Sequence, residues 1–342
     1  MFADNYKTTI GVLNTSIASE NAGDSIIMEA AARQVAESLP LSFKIQLTTH
    51  EKLSRASLRL QRKIAFNIAC GTNLLHSHME IVKQWNVGLV TSWFLKPVVL
   101  LGVGWRGHAS RKTTPYTKLL LRSLLSREHF HSVRDSYSEG RLRELGFTNV
   151  INTACPTMWG LTPEHSADIP VEKGEDVVLT LTDYSPEPQK DRDLLDLLKR
   201  LYRRVYFWRQ GTGDCAYLAS FARPGEVEIL PSSLQAYDDL LADRSISLDF
   251  VGTRLHGGIR ALQHKRRTLI IGVDHRARDK AVDFQLPVKT RYTPTADLER
   301  ILRSPLSCDI HIPQENIRRW REQFAHVDET RPEYADQTSH RR

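Results

Sequence analysis

In its second half the chain reads Asp249-Phe250-Val251-Gly252-Thr253-Arg254-Leu255-His256-Gly257-Gly258, with a guanidinium and an imidazole two residues apart ahead of a glycine pair. Arginine is a permanent cation whose fork grips carboxylate or phosphate, and an imidazole of ordinary pKa, about 6.5, trades protons near neutrality. The two together suit an anionic substrate that must be protonated, with His256 as the acid or base. Alternation through Ile246, Leu248, Phe250 and Val251 predicts a strand, the glycines a tight turn, and Ile259 to Leu262 the first turn of a helix. Arg254 and His256 then lie beyond the carboxyl end of a strand, where open α/β sheets hold ligands.

Other strand ends offer compatible groups. Asn21-Ala22-Gly23-Asp24 precedes an apolar helix, so Asn21, Gly23 and Asp24 can present backbone N–H groups and a carboxylate to an anion or a sugar hydroxyl. The plainer reading makes Asp24 the helix cap. Arg134, in Val133-Arg134-Asp135, can grip carboxylate or phosphate through paired hydrogen bonds, or bind Asp135 locally. Gly102-Val103-Gly104-Trp105-Arg106 is a further glycine-bearing strand end. Asp274-His275-Arg276 follows another strand and fits anion binding or a charged helix start. Trp208-Arg209-Gln210-Gly211 and Asp183-Tyr184 can receive a sugar face, although a buried Trp208 is the simpler expectation. The remaining histidines considered, such as His50, His129, His131 and His165, read as solvated or structural. No metal-ligand motif, Walker A loop or G-x-S-x-G elbow occurs.

These residues need a framework of strands and helices in alternation. Thr8 to Leu13, Phe43 to Thr48, Ile64 to Cys70, Val98 to Val103 and Phe130 to Arg134 read as strands, with a helix from Asp24 to Ser38. After a Pro- and acid-containing stretch from Leu161 to Gly174, taken as a linker, the alternation restarts. Strands follow at Val177 to Leu181, Val205 to Trp208, Val227 to Leu230, Ser247 to Val251 and Leu269 to Val273. Helices are expected at Asp191 to Arg204, Tyr217 to Phe221, Gln235 to Ala242, Ile259 to Gln263 and Lys280 to Phe284. The pattern predicts an α/β protein with two Rossmann-like domains, 1–160 and 175–312. Pro313 introduces a terminal helix within 313–325, anchored by Trp320 and Phe324, and 326–342 is expected to be a disordered tail.

At 342 residues, 41% hydrophobic and 25% charged, the composition is globular, and no apolar run reaches the ~20 residues of a membrane helix. No signal peptide is visible in polar Met1 to Lys7, so a cytoplasmic location is the default expectation. The four cysteines, Cys70, Cys155, Cys215 and Cys308, are scattered and read as reduced thiols without a metal. A formal charge of +7 favours anionic partners: phosphorylated metabolites, nucleic acid or an acidic membrane surface. The sequence does not fix an oligomeric state.

Taken together, Asn21-x-Gly23-Asp24, Arg134-Asp135 with Ser138 and Gly146, Gly252-Thr253-Arg254-Leu255-His256, and Asp274 with Arg276 after a strand resemble the polysaccharide pyruvyl transferase family. The resemblance runs from about Gly11 to Pro287. It departs from the family at Cys70-Gly71-Thr72-Asn73, where a glycine-rich stretch is shortened, and at Lys265-Arg266-Arg267-Thr268. It implies a GT-B-like arrangement of the two domains with the active site in the cleft between them. It also implies phosphoenolpyruvate as donor substrate, no separate cofactor, and a glycan or a lipid-linked or nucleotide-linked sugar as acceptor, with the inner membrane face as an alternative location. Arg134, Arg254, Gly257 and Gly258 are then expected to hold the donor, His256 to give the proton, and Asn21, Gly23, Asp24, Asp274 and Arg276 to meet acceptor or anion. Competing readings are a GT-B glycosyltransferase, a sugar-nucleotide epimerase, and a basic nucleic-acid-binding protein; the leading one has no nucleic-acid partner.

Overall fold

The protein, described from a computed structural model over residues 8–107, 112–325 and 327, is built on two parallel sheets. The first half runs β1 (Thr8–Asn14), α1 (Ala22–Ser38), β2 (Ser42–Thr48), α2 (Arg55–Leu60), β3 (Asn67–Cys70), α3 (Leu89–Phe94), β4 (Val98–Leu101), α4 (Pro115–Leu124), β5 (His131–Val133), α5 (Ser136–Glu144), β6 (Val150–Asn152) and α6 (Pro163–Ala167). The second runs β7 (Asp176–Thr180), α7 (Pro188–Leu201), β8 (Arg204–Phe207), α8 (Asp214–Ala219), β9 (Glu228–Ile229), α9 (Leu234–Ala242), β10 (Leu248–Gly252), α10 (Leu255–Gln263), β11 (Arg267–Gly272), α11 (His275–Phe284), β12 (Val288–Thr290), α12 (Thr295–Arg303) and α13 (Gln314–Glu322).

Strands β3, β4, β7 and β10 are buried along their whole length, which is why they read as continuous apolar runs. The first sheet has the order β2-β1-β3-β4, and the β5-β6 pair extends it through a parallel bridge between Val103 and Val133. The second has the order β12-β11-β10-β7-β8-β9. The strand order reverses between β1 and β3 in one sheet and between β7 and β10 in the other, and crevices open at such points beyond the strand ends. Both crevices face each other. Asn21, just before α1, forms an antiparallel bridge with Gly211 of the second half.

The halves share hydrophobic core. Ile26 and Ile27 of α1 lie in one buried cluster with Leu255 and Ile259 of α10 and with Cys155 and Met158. Helix α13 crosses back to the first half, where Ile317, Trp320 and Phe324 pack with Ile10, Val12, Phe66 and Ile68. Trp320 also donates its indole N–H to the Leu100 carbonyl at 3.0 Å.

Several expectations need correction. Helix α10 begins at Leu255, so Gly257 and Gly258 sit in its first turn and make no tight turn. A side chain on Gly258 would lie 2.4 Å from Ile270, so this glycine lets α10 pack flat on β11. The stretch 161–174, expected as a linker, contains α6 and the buried Ile169. The tail expected over 326–342 lies outside the described residues except for Val327.

Candidate functional site

A cavity of about 370 Å³ opens between the two halves, within the usual range of small-molecule sites, roughly 300–1,000 Å³. Asn21, Asp24, Asn73, Gln84 and Arg106 face it from the first half, and Tyr184, Gln210, Arg254, His256, Asp274 and Arg276 from the second. Each group follows a strand. Asn21 caps α1, Arg254 occupies the residue before α10, and Asp274 caps α11, so three helix N-termini and their partial positive charges converge here. A second cavity of about 500 Å³ lies beside α1, α10 and α13, but its arginines are paired: Arg33 with Glu29, Arg260 with Asp238, Arg321 with Glu37.

Arg254 is held by acids. Its Nε donates to the Leu181 carbonyl at 2.9 Å and to Asp214 Oδ2 at 3.0 Å, while Nη2 bonds Asp214 Oδ1 and, at 2.8 Å, Asp183 Oδ1. Nη1 is its one guanidinium nitrogen without a hydrogen bond among the described residues. Asp214 is fully buried and also accepts the backbone N–H groups of Gln210 and Gly211 at 3.0 and 2.8 Å. Gln210 ties the halves together: its amide donates to Asn21 Oδ1 at 2.9 Å and accepts the Gly257 N–H at 2.9 Å.

His256, in the first turn of α10, is buried with its Nε2 3.9 Å from the Cys155 thiol. Burial, then the positive charges of Arg276, Arg134 and Lys280, push its pKa well below the ordinary value, which favours the neutral imidazole. Arg134, 1% exposed, stands behind the wall rather than in it. Its Nη2 bonds Asn73 Oδ1, its Nε lies 3.4 Å from Asp135, and any side chain on Gly104 would come within 2.2 Å of that Nε. Asp135 caps α5, accepting the Ser138 N–H at 2.8 Å, so the local Arg134–Asp135 arrangement is present. Lys280 is also buried and donates to the Arg134 carbonyl at 3.3 Å; burial and then Arg134 lower its pKa.

The α1 cap is Asn21, whose Oδ1 accepts the Gly23 N–H at 3.0 Å, which corrects the alternative that Asp24 caps the helix. Asp24 accepts a hydrogen bond from the Ser19 hydroxyl at 2.6 Å, and burial raises its pKa against the opposing pull of that bond and of His50, Arg276 and Arg134. On the other wall Asp274 accepts from Arg276 Nε at 3.0 Å, and Arg276 also bonds the Tyr184 hydroxyl. Burial works to raise the Asp274 pKa, but Arg276 outweighs it and holds the carboxylate at about 2.

Of the residues singled out in the sequence, Asn21, Asp24, Arg254, His256, Asp274 and Arg276 share the cavity. Arg134 does not line it but is close enough to His256 and Asp24 to act on their charge. The backbone N–H groups at the expected glycine positions are already engaged: the Gly257 N–H goes to Gln210, the Gly258 N–H to the Arg254 carbonyl, and the Gly23 N–H to Asn21. Trp208 is buried, stacked on Tyr237 at 4.0 Å between ring centres. Arg106, Tyr184 and Gln210, which the sequence offered only as members of strand-end segments, share the cavity as well; Asn73, Gln84 and Asp214 were not singled out as site residues, although Asn73 lies in a strand-end loop, the signal that marks the other members. Among the described residues no group of three or more His, Cys, Asp or Glu side chains is placed to hold a metal ion, and no helix is long and apolar enough to cross a membrane.

The family model described as "Polysaccharide pyruvyl transferase" matches residues 21–275, from the α1 cap to the start of α11. The chain belongs to the polysaccharide pyruvyl transferase family. Membership makes it a transferase of polysaccharide biosynthesis. No curated protein matches it. Among solved structures it is similar to the UDP-GlcNAc 2-epimerase of Methanocaldococcus jannaschii in complex with UDP-GlcNAc and UDP, at 9% identity and a TM-score of 0.54 over 94% of this chain and 100% of that one. It is also similar to Staphylococcus aureus MnaA with UDP, at 9% identity and a TM-score of 0.53 over 94% and 96% of the two chains. At such identities the likeness is one of fold: this pyruvyl transferase family member has two Rossmann-like domains in a GT-B-like arrangement.

Proposed function

We propose that the protein transfers the pyruvyl unit of phosphoenolpyruvate to two hydroxyl groups of a sugar, forming a pyruvate ketal on a cell-surface polysaccharide or its precursor. The observation that carries this reading is a buried imidazole, with Arg276, Arg134 and Lys280 close enough to act on its charge, in a cavity faced by Arg106, Arg254 and Arg276. Phosphoenolpyruvate brings a carboxylate and a phosphate. Arg276, Arg106, the free Nη1 of Arg254 and three helix N-termini supply the complementary charge without a metal. An anion there opposes the cations that hold the His256 pKa down, so the imidazole gains a proton as the donor enters.

The proton passes from His256 to the methylene carbon of the enol, which becomes a methyl group and leaves a cationic centre at the adjacent carbon. One sugar hydroxyl attacks that carbon and phosphate departs with the electrons of its C–O bond. The second hydroxyl closes the ketal. Of the two hydroxyl protons, one restores His256 and the other leaves on phosphate. Asp24, which faces the same cavity and whose pKa is raised by burial, is assigned the relay of these protons.

The test is phosphate release from phosphoenolpyruvate with candidate glycans, compared with release from nucleotide sugars. His256→Gln is expected to lower turnover by roughly 10²-fold or more while leaving donor affinity near normal. Turnover that is unchanged removes His256 from the mechanism, and turnover of nucleotide sugars alone rejects the reaction.

A further inference from the structure

The charge of this chain is unevenly spread. Between Lys52 and Arg127 there are 13 Lys and Arg but a single acid, Glu80, a balance of +12 against +7 for the whole protein. The remainder is therefore net negative by 5, since 7 − 12 = −5. Within the segment, α2 and the turn after it carry Arg55, Arg59, Arg62 and Lys63, all exposed and with no ion pair among the described residues.

Next to this basic strip lies an unusual helix. On α3, Val90, Trp93 and Phe94 fall at positions i, i+3 and i+4, one face of a helix, and are 65%, 72% and 60% exposed. The two elements are joined: Gln61, in the turn after α2, accepts the backbone N–H of Lys96 at 2.9 Å, just past the end of α3. Helix α4 abuts the other side through Ser92 and Ser123, 3.0 Å apart, and adds Leu119, 57% exposed. Exposed aromatic and aliphatic side chains beside unpaired cations are what a bilayer interface with anionic headgroups accommodates: Trp at headgroup level, apolar atoms beneath, Lys and Arg among the phosphates.

We propose that this α2–α3 face docks on an anionic lipid bilayer. The cavity opens nearby: Gln84, which faces it and bonds Arg106 at 2.7 Å, lies between Ile81, 74% exposed, and α3. The inference does not rest on pyruvyl transfer, and its test involves no turnover.

The full chain is sedimented with vesicles of phosphatidylcholine alone or with about 30% phosphatidylglycerol. Of six tryptophans only Trp93 is exposed, so a blue shift on binding, and quenching by brominated lipid, report its insertion. Binding is expected to anionic vesicles only and to weaken with salt. Arg59→Glu with Arg62→Glu lowers the partition coefficient by about 30-fold or more, and Trp93→Ser with Phe94→Ser by about 10-fold, both variants folding because the side chains are exposed. The proposal is overturned by an absence of binding at low salt, by binding that survives both variants, or by binding that leaves Trp93 emission unmoved. Saturable RNA binding without vesicle binding also overturns it, and makes the face a polyanion site.

Discussion

Replacing Asp214 by Asn changes one atom in a place where neither orientation of the new amide is tolerated. Oδ1 faces Arg254 Nη2 and, at 3.3 Å, the Asp183 N–H, while Oδ2 faces Arg254 Nε and the N–H groups of Gln210 and Gly211. An NH2 at either position meets only donors, so at least two hydrogen bonds are lost and Arg254 keeps only the partly exposed Asp183 as counter-charge. Lost bonds to charged groups cost about 1.5–3 kcal/mol each, and breaking a buried ion pair costs about 3–5 kcal/mol, so the two routes agree on roughly 3–5 kcal/mol. With a urea m-value of about 2–3 kcal/mol/M, the unfolding midpoint should fall by about 1–2 M, read by circular dichroism. A midpoint within about 0.3 M of wild type refutes the assignment of Arg254 and Asp214 as a buried framework.

Two further outcomes follow from buried cations and imidazoles. His131 is fully buried, donating Nε2–H to the Ser126 carbonyl at 2.8 Å, and burial pushes its pKa down to about 4. Its native form stays neutral while the unfolded chain takes up a proton below about 6.5, so stability held above that pH is lost as pH falls towards 4, by about 3 kcal/mol; in urea titrations the fall in unfolding free energy between pH 7 and 4.5 should be smaller by about that amount in His131→Gln than in wild type. Lys280→Met removes one of the cations that depress His256, so the His256 resonance should titrate at higher pH by NMR. An unmoved resonance contradicts that coupling.

What the sequence disclosed, and what it withheld, divides by range. The strands were visible because several, such as β3, β4, β7 and β10, are buried along their whole length, and the chemistry at their ends was visible because strand-to-helix junctions carry distinctive polar residues. Arg254 and His256 stood out by type, but the partners that decide their states did not. Asp214 is 40 residues from Arg254, and Gln210 is 47 from the Gly257 N–H it holds. The glycine pair misled because a close approach to Ile270 and a turn leave the same mark in a sequence. Helix α3 escaped notice for a different reason: its apolar residues point outward, so it lacks the pattern of a helix that covers a core.

The return of α13 to the first sheet has a temporal side. A chain emerging from the ribosome has made every strand of that sheet by Asn152, yet Ile10, Phe66 and Ile68 wait for Trp320 and Phe324 to cover them. At about 5–20 residues per second the gap lasts on the order of 10–30 s. The first domain to be translated is thus the last to be sealed, and during synthesis it leans on whatever shields apolar surface in its place.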